Sequence, residues 1–324
     1  MRLFLTLLIL CAFHVAKSQP TWDQAKQERV AKAVQNPYTK ALLVYQDGVP
    51  VYEYGTKHQA YQVFSIRKSL VSLLFGIYAG EGKINLNATM AQLGIDDKQG
   101  LTSDEKQAKV IDVLRARSGI YHPAAYETPG MMKNRPPRGQ YKPGEHWFYN
   151  NWDFNALTTI FEKQTGQGVF DAFRKKIAEP LKMEDFDIKR QEYYRDTMSV
   201  HPATLWFMSA SDLARLGLML LNNGSWDGKQ VIDPAWIKES TTTFSDIGIL
   251  GGYGYCWWTA RDGNHFPFVT LPQGTYSARG TGEQTLLIIP ERKIVIVHLT
   301  EVTSPDQPMM RVVELGRLLK TVLE

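Results

Sequence analysis

The strongest constraint on the fold of this chain is that its strand-forming segments lie at its two ends. "ALLVYQDGVPVYEYG" (41–55) is apolar on both sides of Asp47-Gly48. Asp-Gly between β-prone runs predicts a hairpin, because glycine accepts the positive φ of a tight turn. Towards the other end, "YGYCWWTA" reads as a strand, and "QTLLIIPERKIVIVHLT" reads as two apolar strands turning at Pro290-Glu291-Arg292. Between these sets, "DFNALTTIFEKQTG", "GVFDAFRKKIAEPL" and "SASDLARLGLMLLNNG" carry apolar residues at helical spacing. Gly166 and Gly224 stand where C-caps belong, and Ser209 or Ser211 can cap the third helix. "VVELGRLLKTVL" (312–323) closes the chain as an amphipathic helix. The pattern predicts an α+β protein, with one antiparallel sheet assembled from both termini, flanked by helices, and an inserted helical domain. The expected division is 1–18 as a signal peptide, 19–85 with 240–324 as the sheet domain, and 86–239 as the helical domain, with the active site between them. The proline-rich stretch "MMKNRPPRGQYKPG" (131–144) reads as a loop beside that site.

The first residues bear on compartment. "MRLFLTLLILCAFHVAKSQP" has a charged start, an apolar run from Leu3 to Phe13 and small residues at Ala16 and Ser18, which reads as a cleavable signal with Gln19 as the mature start. The run is shorter than the about 20 residues a spanning helix needs, and no later stretch is apolar enough, so no membrane span is expected. Cys11 lies inside the apolar run behind Leu10, not behind the small residue of a lipoprotein signal. Cleavage leaves Cys256 as the one cysteine, so stability must come from an ordinary core rather than a disulfide. The hydrophobic content of 44% is that of a globular protein. Losing Arg2 and Lys17 takes the formal charge from +4 to about +2, a balance that suggests neither nucleic acid nor an anionic membrane as partner.

Chemistry concentrates at "VFSIRKSLVSLL" (63–74), where an extended segment turns into a helix. Ser65 and Lys68, three apart, share a helix face, and a serine in the first turn sits where backbone N–H groups favour developing negative charge. Such a lysine takes a hydroxyl proton only when neutral, which burial can arrange. The plainer reading is a helix cap followed by a snorkelling lysine. A second serine-x-x-lysine, Ser103 to Lys106, sits among polar residues with two carboxylates of its own, whereas Ser65 leads into "LVSLLFGIYAG", a helix apolar enough to be buried.

Two further segments join it. "GEHWFYNNWDFNAL" holds Tyr149 and Asn151 just before a helix, and "YSARGTGEQTLLIIPE" is a glycine-punctuated strand start. Serine-x-x-lysine, tyrosine-x-asparagine and a glycine-containing strand motif, in that order, resemble the serine β-lactamase and penicillin-binding-protein superfamily. The similarity is greatest to its class C-like branch, which includes esterases, D-aminopeptidases and nylon-oligomer hydrolases. It extends through "GEGKINLNATMAQLG", "VLRARSGIYH", "GQGVFDAFRKKIAEPLKM" and "SASDLARLGLMLLNNGSWDGKQVIDPAWI", from about Lys40 to Leu299. The resemblance implies Ser65 as the acylated nucleophile, Lys68 as its proton partner and Tyr149 as a second acid/base group, its phenol lowered from roughly pKa 10 by the Lys68 ammonium. It implies that Asn151 orients Lys68 and binds the substrate amide or carbonyl, and that the N–H groups of Ser65 and Thr281 form an oxyanion hole.

One departure bears on substrate. Ala278-Arg279-Gly280 stands where lactamases carry Lys-Thr-Gly, which weakens the case for binding a β-lactam carboxylate, although Arg279 can restore a positive charge. Gly280 and Gly282 let backbone approach a bound substrate. His122, His146 and His201 read as loop or packing residues, since no G-x-S-x-G elbow accompanies them. Trp147, Trp152, Tyr121 and Tyr126 can line an acyl cleft or pack the core. No metal, cofactor or phosphate motif is present. The sequence thus points to an exported serine hydrolase acting on a small ester or amide. A β-lactamase or D-peptidase is the alternative, and a catalytically silent binding protein on the same scaffold is a third reading.

Overall fold

The structure, a computed structural model, describes residues 21–304 and 307–324. The signal peptide expected over residues 1–18 lies outside the described residues. Among the described residues no helix is long and apolar enough to cross a membrane.

Eight strands form the central sheet: β1 (Thr39–Gln46), β2 (Val49–Gly55), β3 (Ser245–Asp246), β4 (Gly252–Tyr253), β5 (Trp258–Thr259), β6 (Tyr276–Gly280), β7 (Gln284–Ile289) and β8 (Ile294–Thr300). Their spatial order is β2-β1-β8-β7-β6-β5-β4-β3, and every neighbouring pair is antiparallel. β1 pairs with β8 from Thr39↔Thr300 to Gln46↔Ile294, so the two ends of the chain meet in mid-sheet. The β1–β2 turn takes φ of 50° at Asp47 and 82° at Gly48, the mirror-image turn expected of Asp-Gly.

Successive residues of a strand face opposite sides, and both sides here are covered. Leu42, Val44, Leu287 and Ile296 pack with Val30 of α1 (Gln24–Ala33) and Leu315, Leu318 and Leu319 of the terminal helix. Leu43, Leu286, Val295 and Val297 pack on the opposite face with α2 (Ile66–Gly80) and with the helix Ala210–Leu221, which lies on β8, β7 and β1. Burial on both faces accounts for strands that read as unbroken apolar runs rather than alternating ones. α3 (Asn151–Thr165) ends at Gly166 in the left-handed conformation, φ 67°, as its position suggested.

Three local readings change. "YGYCWWTA" is two short strands, not one, because the N–H of Tyr255 is drawn to Ser240 O (2.8 Å) and that of Cys256 to Leu114 O (3.0 Å), away from any ladder. The start of the 131–144 loop is helical, Pro129–Asn134, with Thr128 as its cap and proline in the first turn, where its missing N–H costs nothing. Gly224 is not the cap itself: Asn222 is, and Gly224 follows at φ 82° with its N–H on Met219 O (2.9 Å).

His298 of β8 is buried and ties the sheet to the β6–β7 turn, with one ring nitrogen 3.0 Å from Thr39 Oγ1 and the other 2.9 Å from the Glu283 carbonyl. Burial holds its pKa down to about 4, below the unfolded value near 6.5. A depressed histidine means that the unfolded chain takes up the proton first. This part of the stability is therefore complete above about pH 6.5 and is lost as pH falls towards 4, by about 3 kcal/mol in all. Urea unfolding at pH 7 and pH 4 is expected to show that extra acid loss in the native chain and most of it absent in His298→Gln.

Candidate active site

The backbone tightens before α2. Phe64 takes a positive φ of 47°, Val63 donates to Trp206 O (2.9 Å), and the N–H groups of Ile66, Arg67 and Lys68 turn back to the carbonyls of Val63, Phe64 and Ser65. Ser65 occupies the N-cap position in right-handed helical geometry, and its side chain makes no capping bond. Its hydroxyl instead lies 2.6 Å from Lys68 Nζ. The same Nζ lies 2.9 Å from the hydroxyl of Tyr149, which the chain delivers at the end of the loop leading into α3, where Asn150 Oδ1 accepts the Trp152 N–H (3.1 Å). Serine hydroxyl, lysine amine and tyrosine phenol are thus in mutual contact around one nitrogen.

Lys68 is 3% exposed, and the ring centroids of Tyr149 and Phe154 lie 4.4 and 4.6 Å from its nitrogen. No ion pair with a carboxylate reaches it among the described residues. Burial, reinforced by the neighbouring Arg67 charge, holds the amine well below its usual range. Burial also pushes the Tyr149 phenol above its usual range, although the Ser65 hydroxyl and the Arg67 and Arg279 charges oppose this. The sequence-based expectation of a phenol lowered by a lysine ammonium is therefore reversed: desolvation outweighs the neighbouring charge and disfavours the charged form of both groups.

Arg67 was not singled out in the sequence. It is 2% exposed, and its guanidinium donates to Asn155 Oδ1 (2.9 Å). The Asn155 amide in turn donates to Ala125 O (2.9 Å), and the Asn151 amide donates to Tyr126 O (2.5 Å). Asn151 was expected to orient Lys68. It fastens the 125–126 backbone instead, leaving its buried Oδ1 without a partner. The one sequence signal for Arg67 was an arginine on the buried face of an otherwise apolar helix.

The third motif lies on β6 and in the turn after it. A Cβ at Gly280 would stand 2.3 Å from the Val63 carbonyl oxygen, so glycine is what lets β6 dock against the segment carrying Ser65. Gly282 takes φ of 76° in the turn. The Ser65 and Thr281 N–H groups are spent on no turn or cap hydrogen bond. Arg279 faces the site but is held from behind: Nε donates to Ser277 Oγ (2.9 Å), Nη2 to His265 O (2.8 Å), and the guanidinium lies 3.9 Å and 4.9 Å from the ring centroids of Phe266 and Trp258.

These groups open into a cleft of about 450 Å³ whose wall includes Ser65, Tyr149, Met131, Trp258, Arg279 and Thr281. Leu250 and Trp258 are shared with an adjoining hollow that Trp147 and His146 line; Thr128 and Thr281 are shared with another that Tyr126 lines. Trp152 and Tyr121 are core residues, Trp152 donating to Asp97 Oδ2 (2.7 Å). His122 lies 3.3 Å from Glu105, His201 3.0 Å from Thr159 Oγ1, and His146 stacks on Tyr141, all packing roles. The Lys106 of the second serine-x-x-lysine is half-buried and reaches Asp96 (3.4 Å). Among the described residues no group of three or more His, Cys, Asp or Glu could hold a metal.

A family model described as Beta-lactamase matches residues 30–318. The chain belongs to the β-lactamase family. No curated protein sequence matches it. Among solved structures it is similar to a Bacillus anthracis protein named as a candidate 6-aminohexanoate-dimer hydrolase, at 19% identity and TM-score 0.68, covering 94% of this chain and 85% of that one. A class C β-lactamase aligns at 16% identity and TM-score 0.68, over 92% and 96% of the two chains. The octameric penicillin-binding protein homologue from Pyrococcus abyssi aligns at 21% identity and TM-score 0.63, over 90% and 75%. At these identities the structural likeness establishes the fold. A β-lactamase fold hydrolase is what the family membership supports.

Two substitutions test the geometry. Gly280→Ala forces its methyl onto a carbonyl that cannot yield, and urea unfolding is expected to show a loss of about 1–3 kcal/mol. Arg67→Met removes a charge that helps keep Lys68 neutral. The acid limb of the pH–kcat/KM profile is expected to move up by about one unit, while Arg67→Lys keeps it in place.

Proposed function

We propose that the protein is a serine hydrolase that cleaves a small ester or amide through an acyl-enzyme on Ser65. The observation that carries this reading is the contact of the Ser65 hydroxyl and Tyr149 phenol with one buried, carboxylate-free lysine nitrogen. A neutral amine 2.6 Å from a hydroxyl is a general base in place. As Ser65 Oγ bonds to the substrate carbonyl carbon, its proton passes to Lys68 Nζ. The carbonyl oxygen becomes negative within reach of the Ser65 and Thr281 N–H groups, the role such preorganised donors serve in acyl transfer. Tyr149 then gives its proton to the departing oxygen or nitrogen and is restored by the proton on Lys68. A phenol kept neutral by burial suits that donation better than a phenolate would. Water attacks the acyl-enzyme by the same path reversed, its proton taken up by the Tyr149–Lys68 pair, and Ser65 recovers its own.

Esters and amides are preferred over β-lactams because the one basic residue on the cleft wall, Arg279, is already bonded to Ser277 and His265 and flanked by two aromatic faces. Read together with the amino-terminal signal sequence, the enzyme acts after export.

The test is covalent labelling followed by kinetics. A fluorophosphonate is expected to add one adduct by intact mass, mapped to Ser65 and absent in Ser65→Ala. Ser65→Ala and Lys68→Met are expected to lower kcat for p-nitrophenyl esters by about 10³-fold or more, and Tyr149→Phe by about 10²-fold or more. Absence of any adduct across fluorophosphonates and penicillins would favour a silent binding protein. Rapid nitrocefin turnover with negligible ester hydrolysis would make the protein a β-lactamase.

A further inference from the structure

Glu283 ends the turn between β6 and β7, two residues past Thr281, and lines the same cleft as Ser65. It does so from a backbone φ of 67°, a conformation that glycine holds without cost and that strains a residue with a Cβ. Its carbonyl is fixed by His298 Nδ1 (2.9 Å) and Thr285 Oγ1 (3.0 Å), so the side chain leaves a rigid turn. Yet its carboxylate has no hydrogen-bond or ion-pair partner among the described residues. Half-buried carboxylates are ordinarily paired. Burial pushes its pKa up to about 7; Arg279 opposes that and Glu314 adds to it. Arg279 is the natural partner by proximity, but its guanidinium is turned onto Ser277, His265 and two aromatic rings. Three aromatic residues, Phe148, Tyr149 and Trp258, share the wall with Ser65. An unpaired carboxylate in a cleft that also carries aromatic rings is the chemistry that recognises a substituted ammonium group.

We infer that Glu283 is a specificity residue, and that the ester or amide presented to Ser65 carries a cationic ammonium group that the Glu283 carboxylate receives. The inference rests on the acyl-enzyme reading for its substrate, but not for its binding. A strained, unpaired acid in the cleft is retained because the partner it lacks within the chain arrives with the substrate.

Three p-nitrophenyl esters of one shape test this at mildly alkaline pH, where the carboxyl is ionised: γ-trimethylammoniobutyrate, its tert-butyl carbon isostere, and the monoanionic glutarate. Choline butyrate against its carbon isostere repeats the comparison on the alcohol arm. On at least one arm, kcat/KM is expected to favour the cation by about tenfold or more over the isostere, with the anion poorest. Glu283→Gln is expected to collapse that ratio by about tenfold. Glu283→Gly, which relieves the positive φ and so secures folding, is expected to do the same. Equal rates for cation and isostere on both arms would overturn the proposal. So would a Glu283→Gln change that lowers every ester by one factor, which would make the residue part of the chemistry instead. Should no ester be hydrolysed at all, the acyl-enzyme reading fails and binding alone judges Glu283. Ligand-observed NMR on Ser65→Ala is expected to detect butyltrimethylammonium but not butyrate, with the ammonium signal lost in Ser65→Ala/Glu283→Gln. Binding of both ions alike, or of neither, would overturn it.

Discussion

An amine buried without a counter-ion is the constraint on which this site depends. Taking an ammonium out of water into a protein interior costs several kcal/mol after relaxation, and a carboxylate normally supplies the compensation. Among the described residues Lys68 has none, and Arg67 beside it on α2 is equally buried and donates to the neutral Asn155 oxygen at 2.9 Å. Two adjacent cations cannot both be kept charged cheaply in such a place. Burial draws the guanidinium down to about 10 and holds the amine well below its usual range, with the Arg67 charge adding to the second effect. The position of α2 in the interior, with Arg67 beside Lys68, is what favours the uncharged amine.

The sheet matters to that site through a few contacts rather than through its bulk. β6 can approach the Val63–Ser65 segment because residue 280 has no side chain, and the turn beyond it is anchored to mid-sheet by His298, which spans from Thr39 of β1 to the Glu283 carbonyl. Gln284 adds two bonds of its own, from its amide to Thr300 O (2.7 Å) and to Gln62 O (3.2 Å), three residues before Ser65. The first and last strands therefore hold the Thr281 N–H in register with the serine. An antiparallel sheet closed from both termini performs this function well, since neither end can fray without loosening the hairpin that faces Ser65.

What could be read from the sequence was what depends on near neighbours. Asp47-Gly48 forms its turn, Pro290 to Arg292 joins β7 to β8, the closing helix spans Val312–Leu323, and Ser65 to Lys68 meet because three residues on a helix share a face. Tyr149 was legible through likeness to a family, not through spacing; eighty-odd residues of chain carry no distance information. Properties that depend on the three-dimensional surroundings were missed. "YGYCWWTA" has strand composition, but the carbonyls of Ser240 and Leu114 intercept its N–H groups. Asn151 turned to the backbone carbonyl of Tyr126, a residue held at positive φ by the loop. The state of the Tyr149 phenol was misjudged because a nearby cation is visible in a motif and desolvation is not.

Arg279 makes the same point about substrate. A basic residue in the third motif suggests, by composition, an anion-binding cleft. In the folded chain its guanidinium is directed at Ser277 and the His265 carbonyl and covered by Phe266 and Trp258, whereas the carboxylate four residues later is the charged group left without a partner. Formal charge along a motif and electrostatic potential in a cleft are different quantities, separated by which groups the fold has already satisfied. A buried charge that is bonded presents little field to a ligand; an unpaired one of opposite sign sets the preference of the wall. The sign of the cleft thus follows from the hydrogen bonds behind Arg279, and those bonds exist because β6 and the His265 loop pack side by side.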